Sequence, residues 1–154
     1  RAFAGAVYNP MTDEMFLGAP GAGASLNGRP IRASLRADIE GMRMIGMASR
    51  FQNKRWPSPW PSMDITERQS IAYRLSLVGA GLADATILFG GKNEWDVAGG
   101  AAIVEAAGGR ASDPWGEDLV FNNPIPRVAG GVVAAGAPLH PLLIERTNFL
   151  SREG

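Results

Sequence analysis

A carboxylate in the first turn of a helix, behind a glycine pair and an amide, is where this chain is best prepared for chemistry. In Gly90-Gly91-Lys92-Asn93-Glu94-Trp95-Asp96, Asn93 takes the N-cap position and Trp95 and Asp96 fall in the first turn. The free backbone N–H groups and the positive end of the helix dipole suit a phosphate, and the Asp96 carboxylate suits a metal ion. The plainer alternative makes Asp96 an acid that only favours its own helix dipole. Lys92 adds a cation beside this helix start as a candidate substrate contact. Ser70 and Arg74 form a second set: one helical turn apart, a hydroxyl and a guanidinium share a face and can grip a phosphate. In a third set, Arg50, Lys54 and Arg55 stand beside Trp56 and Trp60, cations among flat rings that can hold a phosphate and stack on a base. Its alternative is a surface loop whose tryptophans cover the core.

These residues need elements to hold them. After Asn93, Val97, Ala101 and Val104 make one helical face, and Gly108-Gly109 supply a left-handed stop. Gly99, Gly100, Ala101 and Ala102 leave little side chain, so a neighbouring element can come close. Residues 66–80 read as another helix, with Ile71, Leu75 and Val78 on its inner face. Strands are expected over 3–8, 14–17, 42–48, 83–89 and 129–135, with short ones over 110–113 and 119–121. Asn27-Gly28-Arg29-Pro30 marks a turn, and the Pro-rich run 51–61 cannot be regular. Gly18 to Ala24 lacks the Gly-Lys-Ser/Thr ending of a phosphate loop and reads as part of a hairpin. A closing helix spans 138–146. His140, the single histidine, has no second histidine to join in a cluster and is expected at the surface. Glu105 reads as a structural acid.

The 154 residues suffice for one domain, here residues 1–147 with a tail over 148–154. Fifteen basic and fifteen acidic side chains cancel, which points to neither nucleic acid nor a membrane surface as partner. There is no cysteine, hence no disulfide or thiolate metal site. No apolar run nears the ~20 residues that span a bilayer, and a cytoplasmic location is the expectation. The opening Arg-Ala-Phe-Ala-Gly-Ala-Val-Tyr, without an initiating Met, reads as a chain entered in the middle of a strand. The fold class expected is α/β, a layered mixed sheet with packed helices. A doubly wound dinucleotide-binding domain is disfavoured, because no Gly-x-Gly-x-x-Gly turn links a strand to a helix near the start.

Trp95-Asp96-Val97-Ala98-Gly99-Gly100, followed by Ile103-Val104-Glu105-Ala106-Ala107-Gly108-Gly109, resembles a signature of the inositol monophosphatase family of magnesium-dependent phosphatases. The resemblance implies that Asp96 is a ligand of Mg²⁺ and that the substrate is a small phosphorylated metabolite. It also implies the C-terminal half of a sugar-phosphatase-type fold and lithium-sensitive activity. Ser49-Arg50 and Gln69-Ser70-Ile71-Ala72-Tyr73-Arg74 resemble patterns of the bisphosphate-nucleotide phosphatases, with Gln69 in place of a glycine and Arg74 in place of a lysine. Phe89 stands where inositol-specific members place a substrate-binding glutamate. Adenosine bisphosphate is therefore favoured over inositol monophosphate as substrate.

The family's other acidic motif, Asp-Pro-Leu/Ile-Asp-Gly-Thr, is absent: Asp-Pro occurs only at Asp113-Pro114, after the Trp-Asp pair. One expected metal ligand remains, and Mg²⁺ is held poorly by a single carboxylate. The chain alone is thus expected to be inactive, and a non-catalytic fragment or binding module is the alternative from another class. Strand edges left without their partners favour self-association, a homodimer being its simplest form.

Overall fold

The computed structural model describes residues 1–52 and 56–150. Along the chain run β1 (Gly5–Asn9), β2 (Glu14–Ala19), β3 (Gly23–Leu26), β4 (Arg29–Ile31), β5 (Arg43–Ile45), α1 (Ala48–Phe51), β6 (Asp64–Thr66) and α2 (Ile71–Gly79). There follow β7 (Ala85–Phe89), β8 (Lys92–Asn93), α3 (Glu94–Ala106), β9 (Gly109–Ser112), β10 (Arg127–Val128), β11 (Gly131–Gly136) and α4 (His140–Thr147).

Instead of one sheet, the strands make two larger sheets with α2 and α3 between them. The first is an antiparallel meander, β1-β2-β3-β4. Its β3–β4 turn is Asn27-Gly28, both at positive φ, the pair of conformations a two-residue hairpin demands. The second sheet has the order β6-β5-β7-β11-β9, parallel at β5–β6 and β5–β7 and antiparallel at β7–β11 and β11–β9. β8 and β10 form a small separate ribbon. One core cluster lies around α2 and α3, with Leu75, Val78, Val97, Ile103 and Val104 buried against Phe16 and Val132. A second, around Met44, Ile87, Leu139 and Leu143, fills the space between the five-stranded sheet and α4. The mixed α/β layered class expected from the sequence is the one observed.

The small residues of α3 explain the close layering. A Cβ on Gly100 would stand 2.6 Å from the Leu75 Cβ of α2, and one on Gly18 of β2 would stand 2.8 Å from the Ile103 Cα. A Cβ on Gly5 of β1 would collide with the Gly99 carbonyl oxygen. α3 is thus covered on two sides, so apolar and small residues run round most of its surface instead of along one stripe.

Further expectations from the sequence differ from the structure. Residues 66–80 are not one helix: Thr66 closes strand β6, and the helix starts only at Ile71, where Ser70 supplies the cap. The strand expected over 119–121 does not form; the pairing nearest to it is one isolated bridge, Ser112 with Asp118, and residues 119–121 continue without a ladder. His140 is buried, 3% exposed, with its Nε2 2.9 Å from the Ser112 Oγ. Burial, helped by the Arg110 charge, pushes the His140 imidazole down to about 4. Residues 148–150, counted with the tail from sequence, are held: the Trp115 indole N–H donates to the Leu150 carbonyl at 2.9 Å, and the Phe149 ring meets Trp56 edge-on.

Candidate functional site

β7 delivers the chain to the site. At Gly90, φ of +71° turns it out of the strand, the two residues of β8 follow, and α3 begins at Glu94. Asn93 takes the N-cap position, but its side chain does not cap the helix; its Nδ2 donates to the Asp96 Oδ2 at 3.3 Å. Asp96 therefore sits half-buried in the first turn, with one oxygen oriented by Asn93.

Glu94, which the sequence reading passed over, anchors the surroundings. It is buried, and its carboxylate accepts from the Asn122 N–H at 2.7 Å, the Asn123 N–H at 3.1 Å and the Asn123 Nδ2 at 2.6 Å. Burial alone would raise its pKa, yet these donors hold it below the ordinary value. The Glu94 N–H in turn donates to the Pro126 carbonyl. Together these bonds clamp the 122–128 loop against the start of α3 and bring Arg127 beside it. Nothing local in the sequence marks the pairing, since the partners lie about thirty residues apart; the run Asn122-Asn123-Pro124, with amide groups to satisfy, is the one available hint.

The basic residues are placed as follows. The Lys92 Nζ donates to the Phe89 carbonyl at 2.6 Å. Burial, then the charges of Arg74, Arg127 and Arg50, push the Lys92 ammonium below its ordinary value, while Asp96 pulls the other way. Arg74 leaves the outer face of α2 and turns into the sheet. Its Nε and Nη2 donate to the Thr86 Oγ1, and Nη2 also reaches the Ile45 and Ile87 carbonyls at 2.9 and 3.1 Å. That burial lowers the Arg74 pKa. Ser70 is exposed and accepts the Tyr73 N–H at 3.3 Å as the cap of α2. No hydrogen bond among the described residues joins it to Asp96 or Lys92. The Arg50 guanidinium lies 6.0 Å from the centroid of the Phe89 ring. Trp56 and Trp60 pack edge-on against each other and against Phe89 and Phe51, which is the core-covering arrangement. Lys54 and Arg55, the other cations of that loop, lie outside the described residues.

As to a metal, no group of three or more histidine or carboxylate side chains comes together among the described residues. Asp96, with the Asn93 amide beside it, offers one charged oxygen donor. That set does not complete the octahedral oxygen shell of Mg²⁺.

This geometry, a first-turn aspartate beside clustered cations, can be set against known proteins. The sequence model of the inositol monophosphatase family matches residues 1–152. The chain belongs to that family. It is 34% identical to inositol monophosphatase 3 of Solanum lycopersicum, over 94% of this chain and 55% of the relative. It is 31% identical to the Nus factor SuhB of Escherichia coli K12, over 95% of this chain and 57% of that one. Among solved structures, the suhB extragenic suppressor protein of Bartonella henselae superimposes with a TM-score of 0.74 and 26% identity, covering 95% of this chain and 56% of that one. The Thermotoga maritima IMPase superimposes with a TM-score of 0.76 at 24% identity, covering 96% and 56%, and so supports the fold alone. The chain thus spans a little over half the length of the relatives it matches. The family's phosphatase fold is the frame on which Asp96 and the cations are displayed, and no helix among the described residues is long and apolar enough to cross a membrane.

Proposed function

We propose that this chain is the substrate-binding half of a Mg²⁺-dependent phosphomonoesterase acting on a small phosphorylated metabolite. The observation that carries this reading is the oriented carboxylate of Asp96 in the first turn of α3, with Arg50 and Arg74 close enough to push the Lys92 ammonium down. In this reading Asp96 supplies one oxygen to the metal, and the remaining carboxylates come from protein outside these 154 residues. The metal would polarise the phosphoryl group and activate water. The chain's own residues would bind and orient the substrate: Lys92 and Arg50 by charge, Ser70 by its hydroxyl, and the α3 N-terminus by its dipole. Arg74, whose Nε and Nη2 donate to the sheet, would act through Nη1 and its field.

Within that class we favour an adenosine bisphosphate, because Arg50, Arg74 and Arg127 cluster around Lys92 and Phe89 occupies the place of the glutamate found in inositol-specific members. The names of the relatives favour inositol monophosphate as the competing substrate. The test is phosphate release by the full-length protein from both compounds with magnesium. Faster turnover of the bisphosphate is the expected result; a preference for inositol monophosphate overturns the ranking, and no release from either overturns the enzyme reading.

A further inference from the structure

The cations of this site are ordered along one strand. β5 runs beside β7 only as far as the pair Ile45–Thr86. Past that point the β7 edge carries carbonyl groups without a strand partner on this side, and such groups must be satisfied by something else. Basic side chains do it. The Arg74 Nη2 bonds the Ile87 carbonyl at 3.1 Å, the Lys92 Nζ bonds the Phe89 carbonyl at 2.6 Å, and the Arg127 Nη2 reaches the Gly91 carbonyl at 3.4 Å. Carbonyls two residues apart on a strand point the same way about 6–7 Å apart, so Arg74 and Lys92 are offset by about the span of one sugar ring. Arg127 continues the row beyond the turn at Gly90.

Arg127 differs from the other members. It is exposed, and its guanidinium lies over Gly91, where an added Cβ would stand 3.0 Å from Nη2. Its backbone is fixed by the pairing of β10 with β8 and by the Glu94 clamp on the loop before it. The ion pairs among the described residues are Arg1–Asp118, Arg43–Asp84 and Arg110–Asp118, and none involves Arg50, Arg74, Lys92 or Arg127. Asp96 is felt at Lys92 and Glu67 at Arg74, while Asp113, Glu117 and Asp118 line one surface hollow with Arg127. Three of these cations, Arg74, Lys92 and Arg127, are held by neutral carbonyls and the fourth, Arg50, lies over the Phe89 ring, so their charges are open to an anion from outside.

We propose that Arg127 is a second anion contact of the site, so that the site takes a substrate with two anionic groups, one beside Asp96 and Lys92 and the other at Arg127. The proposal rests on the reading of the site as phosphate-binding. It assigns the choice between singly and doubly phosphorylated substrates to a side chain positioned by the β8–β10 pairing and by the Glu94 clamp on the loop before it.

The experiment is calorimetric titration of the full-length protein, with magnesium withheld, by adenosine 3′,5′-bisphosphate and by adenosine 3′-monophosphate. Wild type, Arg127→Ser and Arg127→Lys are compared. Loss of one charge-assisted contact should weaken the bisphosphate about 10-fold in Arg127→Ser and leave the monophosphate within about twofold. Arg127→Lys should keep most of the affinity, since it keeps the charge. Equal losses for both ligands, no loss for either, or wild-type protein that does not prefer the bisphosphate would each overturn the assignment. Binding is read without turnover, so a failure of phosphate release bears on the phosphatase reading and not on this one.

Discussion

At the scale of single residues, the site is governed by which charges are compensated. Glu94 and Asp96 are two positions apart in the first turn of α3, where either carboxylate favours the helix dipole. Only Glu94 is consumed, by three N–H donors from Asn122 and Asn123. Asp96 keeps an oxygen that accepts no hydrogen bond among the described residues, which is what a ligand requires and a purely structural acid does not. The two roles separate in Asp96→Asn. As a dipole partner, Asp96 is worth about 0.3–1 kcal/mol, and the substitution should shift thermal unfolding by no more than that. As a ligand, its loss removes a formal charge from the metal site at nearly constant volume. In the full-length protein we expect phosphate release to fall by orders of magnitude, with a raised magnesium requirement and an intact fold. Equal turnover and equal magnesium dependence in variant and wild type would leave Asp96 an ordinary helix-start acid.

At the scale of elements, α3 was legible because its constraints are local. The N-cap position, the apolar face and the left-handed Gly108 are all written within fifteen residues, and φ at Gly108 is +81°. The need for small residues was legible too, although what approaches them was not: α2 lies against Gly100, and β1 crosses at Gly99. Gly100→Ala tests this packing. The new methyl would meet Leu75 on one side and the Ala72 carbonyl, 3.1 Å away, on the other. Replacing glycine by alanine in an exposed helix gains about 1 kcal/mol, whereas overpacking here should cost about 1–3 kcal/mol. We expect net destabilisation in urea unfolding, and an unchanged or higher midpoint would mean that the α2–α3 contact yields readily. The elements that sequence misplaced depend on distant partners. β6 exists through its pairing with β5, and β8 and β10 exist through each other. No periodicity over two or three residues announces such strands. Arg127 was missed for the same reason, since its place is set by the pairing of β10 with β8 and by Glu94.

At the scale of the whole molecule, two buried ionisable groups, one within the five-stranded sheet and one between that sheet and α4, make the fold sensitive to acid. Asp84, 2% exposed, accepts from the Arg43 backbone N–H and from its guanidinium at 2.8 Å. Burial would raise its pKa, but the Arg43 bonds outweigh that and hold it at about 2, below the ordinary 3.8. Its contribution is present above pH 3.8 and is lost as pH falls through about 2. With Arg43 half exposed to solvent, that contribution is about 1–2 kcal/mol. His140 joins α4 to β9 through Ser112 and acts at higher pH. Its pKa is 6.5 when unfolded and about 4 when folded, so between these values the unfolded chain binds a proton that the folded one refuses. Stability should therefore fall from pH 6.5 to pH 4, by about 3 kcal/mol from this group at 1.36 kcal/mol per pKa unit. His140→Gln removes the titration while keeping a polar side chain near Ser112. Lost packing should make the variant less stable at pH 7, and its deficit should shrink steadily as pH drops to 4.5. Urea unfolding of both proteins at pH 7, 6, 5 and 4.5 decides the matter. A gap that stays constant across the series would show that His140 is not the group through which mild acid loosens this fold.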